Sequence, residues 1–202
     1  MSFPEIIVIR HGQTEWNLAG IWQGARDSPL TPEGRAQARA IGAMCARLGL
    51  GRGTHDILVS PQRRARHTAE LAFGADLPTD PRLAEIDVGD WSGRRPADLR
   101  VELGLPAATG GFDLYDRAPN GERVAQVFDR VAPLLLNLAR PTILVTHGIT
   151  GRMIRTLALG RPRASFADLP GGQGIAWRIA GGTETCLRPA REDAADPAAT
   201  LD

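Results

Sequence analysis

Twice in this chain a short run of purely aliphatic residues ends at a histidine followed by glycine, and that repeated pattern limits the folds open to it. Near the start, Ile6-Ile7-Val8-Ile9 leads into Arg10-His11-Gly12; far downstream, Thr142-Ile143-Leu144-Val145 leads into Thr146-His147-Gly148. A short apolar run without alternation reads as a strand covered on both faces, the setting of a parallel sheet under helices. Two such strands in one sheet bring both imidazoles to the same carboxyl edge, where open α/β sheets bind ligands. A lone His-Gly reads more simply as a satisfied turn histidine. The equivalent places of the two make a shared site the better reading.

Length and composition allow that architecture. The 202 residues fit one domain with a sizeable core of its own. Net charge is only +1 at pH 7, which leaves no electrostatic footprint for nucleic acid, so the cluster Arg63-Arg64-Arg66 needs another explanation. Cys45 and Cys186 show neither a CxxC nor metal-ligand spacing and are expected to be reduced and structural. No basic and apolar leader follows Met1, and no run approaches the roughly 20 apolar residues of a membrane span. The expectation is a cytoplasmic protein with no membrane partner; a homo-oligomer is compatible with everything in the sequence.

Helix signals fill the space between strands. Thr31-Pro32-Glu33 reads as N-cap, first-turn proline and favourable acid, opening a helix to about Leu48 with Ala38, Ile41, Ala43, Cys45 and Leu48 on its packing face. Residues 56–60 read as a second strand, with Ser60-Pro61 opening a helix to about Phe73. Residues 78–82 read as extended, 83–93 as a loop rich in acids and glycine, and 96–103 as a short helix. The segment 104–120 reads equally as a flap over a site or a packed surface loop. A helix is expected from Asn120-Gly121-Glu122 to about Ala139, kinked at Pro133, and another from about Thr150 to Leu159. Residues 174–179 and 183–187 form a hairpin across Gly181-Gly182. The alternation predicts a single-domain, three-layer α/β/α sandwich with a mostly parallel sheet over residues 1–188. Residues 189–202, rich in Ala, Asp and Pro, are expected to be a flexible tail.

Around the two histidines the residue types suit phosphoryl chemistry. Arg10 and Arg64 are available as planar cationic donors, Thr14 and Asn17 carry further donors, and the 85–90 loop supplies an acid. Phosphoryl transfer needs fixed cations around three oxygens and a nucleophile in line with the leaving oxygen. Arginine forks fit those oxygens better than lysine, and a neutral imidazole nitrogen can attack phosphorus to give a phosphohistidine. No Walker A loop or clustered Asp-x-Asp site is present, so the expected chemistry uses neither metal nor cofactor.

The stretch Val8-Ile9-Arg10-His11-Gly12-Gln13-Thr14-Glu15-Trp16-Asn17 resembles the Arg-His-Gly signature of the histidine phosphatase superfamily, also called the phosphoglycerate mutase-like family. The resemblance continues in order. It takes in Trp22-Gln23-Gly24 with Asp27 to Thr31 and Gly34, then Ser60-Pro61 with Arg64-Ala65 and Thr68-Ala69. It also takes in Leu83, Glu85, Gly89, Trp91 and Gly93, and finally Val145-Thr146-His147-Gly148. It implies the phosphoglycerate mutase-like fold, His11 as phosphate acceptor, and Arg10, Arg64 and His147 as groups holding the phosphoryl oxygens. Asn17 adds a donor, Glu85 becomes the general acid and then the base, and Thr14, Gln23, Gly24 and Gly148 lie on the phosphate and substrate side. An apolar setting from Ile86 or Trp91 would keep Glu85 protonated for the first step. Asp87 and Asp90 stand as second choices, and His55 and His67 match no motif.

Two positions depart from the family pattern: Ile149 stands where a small residue is common, and Arg123 follows Glu122 where many phosphatase members carry serine. Both bear on substrate choice. The favoured function is hydrolysis of a small phosphomonoester, because the loop after Glu85 has the short phosphatase-like form. A phosphoglycerate-type mutase, whose members carry a longer basic and aromatic insertion there, is the alternative. A non-catalytic phosphate-binding protein ranks third.

Overall fold

The structure, a computed structural model, describes residues 3–106 and 111–190. Residues 107–110 of the 104–120 segment and 191–202 of the expected tail lie outside the described residues. Strand β1 (Ile6–Arg10) passes through a short helix α1 (Glu15–Leu18) into α2 (Pro32–Arg47), followed by β2 (Asp56–Val59) and α3 (Arg63–Phe73). Helices α4 (Pro96–Glu102) and α5 (Val124–Leu136) precede β3 (Thr142–Thr146), α6 (Gly148–Ala158) and the hairpin of β4 (Ala176–Ala180) and β5 (Thr183–Leu187). The sheet order is β2-β3-β1-β4-β5. β3 is parallel to both β1 and β2, while β4 runs against β1 and β5, so four of the five strands point the same way.

Strand periodicity explains the three layers. Successive side chains of β1 and β3 point to opposite faces, so a run without polar positions needs cover on both. On one face Ile6, Val8 and Leu144 pack with Val127, Phe128 and Val131 of α5 and Met153 and Ile154 of α6. On the other, Ile7, Ile9, Ile143 and Val145 pack with Ile41, Met44 and Cys45 of α2 and Ala65 and Ala69 of α3. Burying each such isoleucine fully contributes about 1.5–3 kcal/mol, which makes the double-sided cover the favoured arrangement. A third cluster, Val88, Trp91, Leu99, Leu114 and Ala118 with Trp22 and Tyr115 against it, contains no strand residue.

Several boundaries differ from the sequence reading, each for a local reason. At α2 the Thr31 cap and Pro32 are as expected, but Ala40 and Met44 are buried where Ala43 and Leu48 face solvent. Helix α3 starts at Arg63 rather than at Ser60-Pro61, because Asp27 accepts the N–H groups of Arg63 and Arg64 at 2.9 and 3.2 Å. Helix α5 starts at Val124, whose N–H goes to Asp116 at 2.7 Å, and runs through Pro133 to Leu136. Helix α6 starts at Gly148, two residues earlier than expected, because an acid from outside the helix takes its first N–H groups. Within 78–82, Thr79 bridges Val59 and Pro81–Leu83 forms a 3₁₀ turn rather than extended chain. The 104–120 segment carries a 3₁₀ stretch, Gly111–Arg117.

The turn after β1 is locked to α2 by two glycines. A Cβ on Gly12 would lie 2.2 Å from the Gly34 carbonyl oxygen, and one on Gly34 would lie 2.0 Å from the Gln13 carbonyl oxygen. Both contacts are with backbone, which cannot swing aside as a flexible side chain can. Gln13 also accepts at its carbonyl from the Thr31 N–H at 2.9 Å. Gly34→Ala should therefore destabilise the fold by about 1–3 kcal/mol, the usual cost of overpacking. A drop in the urea midpoint at unchanged slope is the measurement that checks it.

Candidate active site

In the β1–β3 ladder Arg10 is level with Thr146, so the next residues, His11 and His147, emerge side by side. The His11 N–H continues the ladder to the Thr146 carbonyl at 2.9 Å, and the two ring centroids lie 5.1 Å apart. Both rings are buried. Parallel pairing with no offset is what turns two distant sequence motifs into one site.

Hydrogen bonds assign the protons on these rings. His11 Nδ1 lies 2.8 Å from the Gly12 carbonyl, which can only accept, so Nδ1 carries the hydrogen and Nε2 presents a bare lone pair. Burial, and then the charges of Arg10 and Arg64, hold the His11 pKa well below its ordinary value. The ring is thus neutral at physiological pH, and its Nε2 can act as a nucleophile or as a base. His147 Nε2 lies 2.7 Å from the Ser60 hydroxyl, and that oxygen already accepts from the Gln62 N–H. Ser60 has its one hydrogen free to donate to Nε2, the pairing that leaves the hydrogen of His147 on Nδ1. His147 is likewise kept neutral, by burial first and then by Arg64, His11 and Arg10. Ser60 was read from the sequence as a helix cap; its role in orienting His147 gave no sequence signal.

Arg64 is fixed from one side and open on the other. Arg64, on the first turn of α3, donates through Nη1 to Asp27 and the Arg26 carbonyl, both at 2.7 Å, and through Nη2 to the Gly24 carbonyl at 3.0 Å. Asp27 thus caps α3 and aims its arginine at once. Nε of Arg10, Nε of Arg64 and Nδ1 of His147 are buried without a hydrogen-bond partner among the described residues. Buried polar groups in folded proteins nearly always have partners. Three unpaired donors from β1, α3 and the end of β3, gathered around His11, form the donor set of a site for an oxyanion.

Glu85 faces that set from the acid loop. Its Oε2 accepts the N–H groups of Gly148 and Ile149 at 3.0 and 3.2 Å; Oε1 accepts the N–H groups of Ile86 and Thr150 at 3.2 and 3.0 Å, and the Thr150 hydroxyl beside it donates to the Ala84 carbonyl at 2.7 Å. The carboxyl's partners are the positive end of α6 rather than the apolar side chains expected from Ile86 and Trp91. The Gly148 N–H, expected on the phosphate side, is given to this carboxyl. Arg130 of α5 holds the loop in place, donating to the Ala84 carbonyl at 2.8 Å while paired with Glu122 at 2.7 Å. Asp87 accepts from the Gly89 N–H and Asp90 from the Asn120 amide. These two acids shape turns and do not line the cavity described next.

Eight of the ten residues expected at the site, Arg10, His11, Asn17, Gln23, Gly24, Arg64, Glu85 and Gly148, line one cavity of about 420 Å³. Thr14 and His147 are not on its surface. Thr14 is fully buried as the α1 cap, its hydroxyl taking Gln23 Nε2 at 2.8 Å and donating to Asn17 Oδ1 at 3.0 Å. Asn17 Oδ1 also accepts from Gln173 at 2.9 Å. With its oxygen used up, Asn17 has its Nδ2 hydrogens left to give. Gln173 lies in a turn that carried no site signal. His55 pairs with Glu5 at 3.0 Å and has no part in the cavity. Further lining comes from Trp22, Phe112, Tyr115, Arg100 and Arg152. Among the described residues no group of three or more His, Cys, Asp or Glu is placed to hold a metal ion, and no helix is long and apolar enough to cross a membrane.

Comparison with known proteins identifies the family. A probable phosphoglycerate mutase GpmB from Citrobacter koseri is 35% identical over 170 residues, 78% of this chain and 76% of that protein. A structure of a putative alpha-ribazole-5'-P phosphatase from Escherichia coli K-12 superposes with a TM-score of 0.74 at 27% identity, covering 94% of this chain and 98% of the other. A mycobacterial glucosyl-3-phosphoglycerate phosphatase, in complex with VO3, superposes at 0.75 with 28% identity, covering 88% and 91%. The histidine phosphatase superfamily (branch 1) matches residues 6–184. With that match spanning both histidine strands, the chain belongs to the histidine phosphatase superfamily.

Proposed function

We propose that this chain is a metal-independent phosphatase that hydrolyses a small phosphomonoester through a phosphohistidine on His11. The observation that carries the reading is the set of three buried, unpaired nitrogens around a neutral imidazole whose Nε2 is bare. In the first step His11 Nε2 attacks phosphorus, the phosphorus–oxygen ester bond breaks, and the alcohol oxygen leaves with a proton from Glu85. Arg10, Arg64 and His147 Nδ1 hold the equatorial oxygens, where charge is spread in the transition state. The N–H groups at the start of α6 then hold the carboxylate left on Glu85. In the second step Glu85 takes a proton from water, whose oxygen attacks phosphorus. The phosphorus–nitrogen bond breaks and inorganic phosphate forms, returning both residues to their starting states.

A mutase would use the same first step and return the phosphoryl group to a second hydroxyl of the substrate instead of to water. The GpmB-named relative favours that reading, while the short loop after Glu85 favours water as acceptor. Release of inorganic phosphate far faster than interconversion of the two monophosphoglycerates selects the phosphatase.

His11→Ala should abolish turnover of phenyl phosphate; activity at the wild-type level in that variant rules out the covalent route. Glu85→Gln should lower kcat by about 10²–10⁴-fold with substrate affinity largely kept, measured by steady-state kinetics and by binding of orthovanadate. The buried imidazoles also set a pH dependence of stability. Their folded pKa values are depressed, so below about pH 6.5 the unfolded chain takes up protons that the folded chain does not. Stability is therefore fully present above that pH and falls as the pH is lowered through it. Urea unfolding midpoints from pH 8 to pH 5 test the sign, and midpoints flat below pH 6.5 in wild type but falling in His11→Ala would contradict it.

A further inference from the structure

We propose that Tyr115 is a substrate-contacting residue that favours phosphomonoesters whose alcohol portion carries an oxygen beyond the ester oxygen. The inference rests on the phosphatase reading of the cavity. Tyr115 belongs to the 3₁₀ stretch Gly111–Arg117 and lines the same cavity as Arg10, His11 and Glu85. Its ring is held by stacking on Trp22, with centroids 4.6 Å apart and planes 15° off parallel, and by Phe112 at 6.5 Å.

Placement of the ring is over-determined, yet its hydroxyl has no hydrogen-bond partner among the described residues. That oxygen is not one of the buried unpaired atoms, so it is open to the cavity, where water or a substrate oxygen can accept its proton. The charges that act on this phenol are those of Glu85, Arg10 and Arg152, so it sits beside the group that protonates the departing alcohol. Burial and the nearby Glu85 push its pKa up, keeping it an O–H donor throughout the working range. Both oxygens of Glu85 already accept backbone N–H groups, four in all, from residues 86 and 148–150. The remaining acceptor is on the substrate side. Ile21, Val88 and Ile149 line the same cavity along with the cations Arg100 and Arg152, and a neutral oxygen on the alcohol portion is an acceptor that the Tyr115 O–H can recognise. A site built to hydrogen-bond such an oxygen discriminates against the analogue that lacks it, because the site's own group is then left unpaired.

A matched pair isolates the effect: glycerol 1-phosphate and n-propyl phosphate share three carbons and differ in hydroxyl groups. Wild type should favour glycerol 1-phosphate in kcat/KM, and Tyr115→Phe, which keeps the stacking on Trp22, should reduce that preference by about tenfold. An unchanged ratio in Tyr115→Phe, or a wild type with no preference, overturns the role of Tyr115 while leaving the phosphatase reading intact. Failure of wild type to release phosphate from either ester, or from phenyl phosphate, instead overturns the reading beneath it. Tyr115→Leu removes ring and hydroxyl together; if it alone changes the ratio, the wall and not the O–H sets selectivity, and the proposal falls.

Discussion

The main-chain hydrogen bond from His11 to the Thr146 carbonyl is the contact on which the site depends. It extends the parallel ladder one step past β1 and β3 and so fixes the spacing of the two imidazoles before any side chain is placed. Everything else is fitted to that pair. Asp27 brings Arg64 in from α3, Ser60 sets the hydrogen of His147, and the start of α6 receives Glu85. A slip of one residue between these strands would send the two rings to opposite faces.

Burying cations without partners is costly, and the fold confines that cost to one place. Arg155, equally buried, is paired with Glu184 and lies 3.8 Å from the ring centre of Trp177. Arg130 is paired with Glu122, and Arg64 spends two of its three nitrogens on Asp27 and carbonyls. Against that background the unpaired Nε atoms of Arg10 and Arg64 stand out as deliberate. Such local violations of an otherwise satisfied interior mark functional positions.

Much of this was legible in the sequence, and the parts that were not share a cause. The strands showed because unbroken aliphatic runs need cover on both sides, and the two histidines because each ends such a run. Ser60, Asp27, Arg130 and Gln173 were hidden, since each acts through a residue far away along the chain and uses a side chain with many ordinary uses. Ser60-Pro61 looked like a cap because that is the local use of serine; the nearby imidazole won the hydroxyl. The apolar setting expected for Glu85 was wrong because the donors come from α6, more than sixty positions later. Local pattern reveals what a residue does for its own element, and long-range pairing decides the rest.

The division of the interior into three apolar clusters has a mechanical consequence. The floor of the cavity, carrying both rings, is part of the sheet and its two cores. Trp22 is seated on a separate cluster that contains no strand residue, while Tyr115 packs against both that cluster and the sheet core. Local opening of the smaller cluster would therefore loosen Trp22 first and pull on Tyr115, whose other contacts belong to the sheet core. Tyr115 is thus the joint between the rigid sheet that aligns the two imidazoles and the smaller cluster beside the cavity.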